Sequence, residues 1–204
     1  MEKECGTVRR GALRERSVTE LSAVYLVISL LGWIFEKVGR YLLYNSLSDR
    51  GFLSMPLCPI YATGVMSVYI LFGTPTRLRI LGRRVKCPRG VSVLIYFLLS
   101  AFAASAAEFV VALFFDKAFG IRLWDYSGRV MNIFGYVCLP YSLLWGALIT
   151  LFMMSVWRGL LYLVRKADVK KLSIATTVIY IAIAFDMAFN VLYLLKNGSH
   201  FKFL

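Results

Sequence analysis

VSVLIYFLLSAFAASAAEFVVALFF, residues 91–115, is an apolar run broken by a single ionisable side chain, Glu108. A helix rises about 1.5 Å per residue, so a run this long exceeds the roughly 30 Å hydrocarbon layer. It reads as a membrane span. Working outward, residues 21–44, 52–73, 131–157 and 172–195 have the same character, which gives five spans. The chain of 204 residues is 59% hydrophobic and 15% aromatic, more apolar surface than one small soluble core can hide. The expected fold is therefore all-α: a polytopic integral membrane helical bundle of about five transmembrane helices. A single transmembrane domain, 21–195, follows a basic segment at 1–20 and precedes a short tail at 196–204. No connection is long enough for a second domain, and no internal repeat is evident.

The basic residues set an orientation. Arg9, Arg10, Arg14 and Arg16 precede the first span; Arg77, Arg79, Arg83, Arg84, Lys86 and Arg89 lie between the second and third; Arg158, Arg165, Lys166, Lys170 and Lys171 lie between the fourth and fifth. The alternate connections are poor in such residues. Positive charge is retained on the cytoplasmic side, which predicts a cytoplasmic N-terminus and an outer C-terminus in a multi-pass protein of the cell membrane. Topology thus accounts for most of the net charge of +13, and no nucleic-acid partner is expected. The first apolar run is too long for a cleaved secretory signal, contains Glu36 and Arg40, and lacks a small-x-small cleavage site after it.

Three acids sit inside spans: Glu36, Glu108 and Asp186. Ionisable groups in hydrocarbon are costly and are normally paired or turned toward a polar interior, so each is a candidate binding residue. Counted from the cytoplasmic starts of their spans, the three lie about fifteen, seventeen and fourteen residues up, within roughly 5 Å of one level in the outer half of the membrane. Gly32, Glu36 and Arg40 share a helix face, as do Ala101, Ala104, Ser105 and Glu108. The fifth span offers Ala182, Asp186, Asn190 and Tyr193, and the fourth offers Asn132, Gly135, Leu139, Ser142 and Gly146. Such small and polar stripes should turn inward, where helices approach closely. Arg40 follows Glu36 by one turn, the spacing of an ion pair, so a purely structural network of these charges is a standing alternative.

The second span opens Gly51-Phe52-Leu53-Ser54-Met55-Pro56-Leu57-Cys58-Pro59-Ile60-Tyr61. Proline removes a donor and disfavours helix in the residue before it, so the helix is expected to start near Pro59. Either the helix N-terminus points its positive end at the acids, or the segment is a tight packed loop. Trp124-Asp125-Tyr126-Ser127 combines interfacial aromatics with turn formers and, with Asn132, can form a lid over an outer-leaflet site.

Several of these motifs occur together in order: Gly32-Trp33-x-x-Glu36 with Arg40, Arg50-Gly51-Phe52-Leu53 leading into Pro56-Leu57-Cys58-Pro59-Ile60-Tyr61 and Gly64, Glu108, Trp124-Asp125-Tyr126-Ser127, Asn132, and Cys138-Leu139 with Ser142-Leu143-x-Trp145-Gly146. Across residues 32–146 the chain resembles the small bacterial membrane proteins grouped as ABC-transporter permeases of the CmpB, or type IV, family. It departs from the pattern at Ser54-Met55, where a glycine is expected beside the proline, and at Ala62. The resemblance implies a permease-like transporter subunit of unspecified substrate.

The sequence has no Gly-x-x-x-x-Gly-Lys-Ser/Thr phosphate loop, so a separate ATPase would supply the energy. The basic connection 74–90, with Arg83 and Arg84, is the candidate docking surface; such a loop also suits contact with anionic lipid. Candidate substrate- or ion-binding residues are Glu36, Arg40, Glu108, Asp125, Asn132, Ser142 and Asp186. The alternatives are a membrane enzyme acting on a lipid or other amphiphile through paired carboxylates and a tyrosine, and a non-transporting scaffold or regulator. Nothing in the residues specifies a catalytic set: His200 is the sole histidine, and Cys5, Cys58, Cys87 and Cys138 lack metal-ligand spacing, so neither metal nor cofactor is expected. Five helices are few for a solitary pore, which makes a homo-oligomer, or assembly with another membrane chain, a further expectation.

Overall fold

The computed structural model describes residues 2–45, 53–80 and 82–197, with backbone alone over 2–16 and at 43, 44, 195 and 197. Arg50, Gly51, Phe52 and His200 lie outside the described residues. In chain order the elements are α1 (Glu2–Tyr44), α2 (Pro59–Phe72), β1 (Gly73–Thr74), β2 (Arg77–Ile80), β3 (Arg83–Arg84), α3 (Arg89–Phe119), β4 (Asn132–Ile133), β5 (Val137–Cys138), α4 (Leu139–Ser155), α5 (Trp157–Lys166) and α6 (Val169–Asn197). The fold is all-α, with the strands confined to two small connections.

Among the described residues three helices are long and apolar enough to cross a membrane: Ser17–Leu42 within α1, Arg89–Phe119, and Val169–Leu194 within α6. Their outer faces leave Leu42, Phe102 and Phe185 about three-quarters exposed. Acyl chains cover such side chains, whereas water would penalise them by roughly 25 cal/mol per Å². α4 and α5 reach a comparable length only together, bent by 51°. Before the bend, the Ser155 hydroxyl donates to the Leu151 carbonyl at 2.6 Å, a back-bond that bends helices.

One of the five apolar stretches is less helical than the sequence suggests, while the second is as short as its prolines predict. In 53–73 the helix is Pro59–Phe72, starting where Pro56 and Pro59 lead one to expect. In 131–157 the helix starts at Leu139. The preceding residues form the β4–β5 hairpin, with Asn132 opposite Cys138 and Ile133 opposite Val137. Met131, Phe134 and Gly135 hold φ of 50°, 53° and 75°, so no helix can run through them. Asn132 and Gly135 therefore do not share a helical stripe with Ser142. Gly135 is doubly required, since a Cβ there would come within 2.6 Å of the Ser127 hydroxyl.

The chain divides into two compact units, Met1–Ala62 with Leu160–Leu204, and Thr63–Gly159. In the first, α1 packs on α6: the Tyr25 and Tyr180 rings lie 6.2 Å apart, the Tyr180 hydroxyl donates to the Ser22 carbonyl, and Arg165 pairs with Glu20 at 3.1 Å. Gly32 allows α1 to approach the root of Tyr61, which a Cβ would meet at 2.6 Å. In the second unit, α3 packs on α4 where Gly146 faces Ala101 and the Phe97 carbonyl, at 2.7 and 2.9 Å from a hypothetical Cβ. The stripe Ala101, Ala104 and Glu108 is buried along this seam. α3 ends in an αL cap, with Gly120 at φ 66° donating to the Asp116 carbonyl and Ile121 donating to that of Phe115.

Candidate functional site

In the first unit the segment 54–58 lies outside regular structure, and two intrahelical acids meet it, Asp186 at its backbone and Glu36 at the Cys58 thiol. Asp186 Oδ2 on α6 accepts the backbone N–H of Ser54 at 2.8 Å and of Met55 at 3.2 Å. Its Oδ1 accepts from Asn190 Nδ2, one turn on, and the same amide reaches the Asp186 carbonyl and the Ser54 hydroxyl. Asn190 is fully buried. At the other end of the segment, Cys58 donates its backbone N–H to the Ser29 carbonyl and its thiol to Glu36 Oε2 at 3.6 Å. The Tyr25 hydroxyl donates to the Pro59 carbonyl. Irregular backbone at membrane depth requires such donors and acceptors. The groups that meet Asp186 are thus amides of the segment before α2, not the helix N-terminus. Arg40 is half-buried one turn beyond Glu36.

The second unit holds Glu108, 7% exposed on α3. The Tyr126 hydroxyl donates to its Oε1 at 3.1 Å, and Trp145 on α4 also faces the carboxyl. Its Oε2 is buried without a hydrogen bond of good geometry among the described residues. Tyr126 stacks on Tyr141 with centroids 4.9 Å apart. Ser105, one turn before Glu108, donates to Ser142 at 2.6 Å, and Ser142 passes a bond to the Cys138 carbonyl. Glu108 with Tyr126, and Ser105 with Ser142, are thus two separate hydrogen-bonded pairs one turn apart along α3.

The connection above it is fastened by its own side chains. Trp124 Nε1 donates to the Tyr136 carbonyl at 2.8 Å, and the Tyr136 hydroxyl donates to Asp116. Arg122 lies 3.8 Å from Asp116 and 3.7 Å from Asp125. Asp125 Oδ1 accepts from the hydroxyl and the N–H of Ser127, which hold its carboxyl below the usual range. The hydrogen bond to Asp116 pushes the Tyr136 phenol up, and burial followed by the neighbouring Glu108 does the same for Tyr126. Asn132 donates to the Ser127 and Arg129 carbonyls and accepts from Gly135. Asp125 Oδ1 and the Asn132 amide are thus engaged in shaping the loop. Cys58, Cys87 and Cys138 are free thiols. Arg83 and Arg84 form β3 and are exposed.

A family model described as "Putative ABC-transporter type IV" matches residues 23–191. The chain belongs to this family. The match spans both units of this type IV chain and takes in Glu36, Glu108 and Asp186. No curated protein and no solved structure matches it.

Sequence reading singled out the three acids and the connection 116–130 but missed which groups they meet. The amides of Ser54 and Met55 carry no side-chain signature. Their one advance signal is the pair of prolines that leaves donors unused. Tyr126 as the partner of Glu108 was legible only as an aromatic in a lid.

Proposed function

We propose that this type IV family member is the permease-like, membrane-embedded subunit of a transporter, multi-pass in the cytoplasmic membrane and energised by a separate ATPase. The observation that carries the reading, beyond family membership, is the interrupted second span. Its backbone at 54–55 is held by Asp186 from one helix, and the Cys58 thiol at the far end of the segment donates to Glu36 from another. Discontinuous helices of this kind let transporters place polar backbone at membrane depth and move it.

The topology proposed with it has the N-terminus inside and the C-terminus outside. α2 covers about 21 Å, so the residues before it need supply only about 10 Å of a roughly 30 Å crossing. The basic connections after α2 and around α5 then share the cytoplasmic side. Glu108, with Ser142 and Tyr126, is the proposed polar site of the second unit, and Asp186 and Glu36 form that of the first.

The test is gentle-detergent purification of the tagged native chain, with mass spectrometry of what accompanies it. A stoichiometric P-loop ATPase is the expected companion. Recovery of the chain alone, turning over a lipid or amphiphile, would replace the transporter reading with an enzymatic one.

A further inference from the structure

The connection between α2 and α3 folds into a three-stranded antiparallel sheet. Arg79 stands directly opposite Arg84, and the Val85 N–H donates to the Leu78 carbonyl, which carries the same register one step further and sets Arg77 opposite Lys86. Directly opposed residues share a face of the sheet. One face therefore presents Arg77, Arg79, Arg84 and Lys86, all exposed, while Leu78 on the other is 1% exposed.

Like charges placed directly opposite destabilise a ladder unless something neutralises them. Among the described residues none of these four cations forms a salt bridge with an acid, and residues 74–90 contain no Asp or Glu.

The face is nevertheless rigidly held. The Ser92 hydroxyl donates to the Pro75 carbonyl at 2.6 Å, the buried Tyr96 hydroxyl donates to the Gly73 carbonyl at 3.1 Å, and Arg158 reaches the Thr76 hydroxyl. Gly73, at φ 76°, leaves room for Arg79, whose Nε would lie 3.2 Å from a Cβ there. A disordered topology signal needs none of this construction.

We propose that this face binds the phosphate of an anionic phospholipid headgroup. Guanidinium forks match phosphate oxygens bidentately. The source is lipid because β1 begins at Gly73, the residue after the last of the apolar helix α2, and α3 starts at Arg89. The sheet thus lies at the level of the headgroups, where anionic phosphates are concentrated.

The test is native mass spectrometry of the full chain in detergent micelles titrated with phosphatidylglycerol, phosphatidylcholine or inorganic pyrophosphate. Phosphatidylglycerol should be retained about tenfold better than phosphatidylcholine, and the preference should shrink as salt is raised. It should vanish in R79Q/R84Q, yet persist in R83Q/R89Q, which removes equal charge from the same connection but off this face. Melting of R79Q/R84Q at or above the wild-type temperature would show that the loss is not unfolding. Equal retention of both lipids, equal loss in the two double variants, preference for pyrophosphate, or capture of a protein on this face in place of lipid would each overturn the proposal.

Discussion

Replacing Asp186 by Ala removes the single oxygen that accepts from both Ser54 and Met55. Hydrogen bonds to a charged acceptor contribute about 1.5–3 kcal/mol each, less where water can replace the acceptor. Ser54 is exposed and Met55 half-buried, so the segment should lose about 2 kcal/mol of its hold, raising the population of its open form about 30-fold. Asp186→Asn keeps a carbonyl acceptor without the charge and should cost about 1 kcal/mol, about fivefold. Cys58, at the far end of the segment, reports the opening. With Cys5 and Cys87 replaced by Ser, maleimide labelling of Cys58 in nanodiscs should accelerate by these factors, while Cys138, 1% exposed in the other unit, serves as the internal reference. Unchanged labelling of Cys58 in a fully folded Asp186→Ala protein would refute the claim that this carboxylate holds the segment.

Gly146→Ala should lower the thermal midpoint in detergent by the equivalent of about 1–3 kcal/mol, because its Cβ meets Ala101 at 2.7 Å and the Phe97 carbonyl at 2.9 Å, with only backbone shifts to relieve it. Tyr126→Phe removes the partner of Glu108 Oε1 and should cost about 1–3 kcal/mol, with Tyr141→Phe as the milder control that keeps the stack; chemical denaturation of the two compares them. The Asp125 carboxyl is held low in the folded loop, so the stabilisation it gives is present above the ordinary Asp range near pH 4 and is lost as pH falls through its folded value. Proteolytic nicking of residues 120–135 should therefore rise on acidification in the wild type and be already high, without that acid step, in Asp125→Ala.

The aromatic and acidic residues of the second unit show how legibility was divided. Trp124, Tyr126 and Asn132 were readable as a lid because turn chemistry is local. The hairpin at β4–β5 was not, because Met131-Asn132-Ile133-Phe134 is as apolar as a span entrance and only the positive φ of Met131, Phe134 and Gly135 excludes helix. The face of four cations was equally hidden: 74–90 reads as a basic loop until cross-strand register separates Arg79 and Arg84 from Arg83.

The sequence by itself determined the membrane character, the helical class, the family and the positions of the three acids, because hydrocarbon demands long apolar helices and makes every interruption conspicuous. Tertiary structure alone decided which atoms those acids meet. Asp186 and Glu36 engage the segment 54–58 and Glu108 engages Tyr126, pairings between residues 18 to 132 positions apart that no local pattern encodes. Composition fixes what must be satisfied inside a membrane; only the packed chain determines which distant group satisfies it.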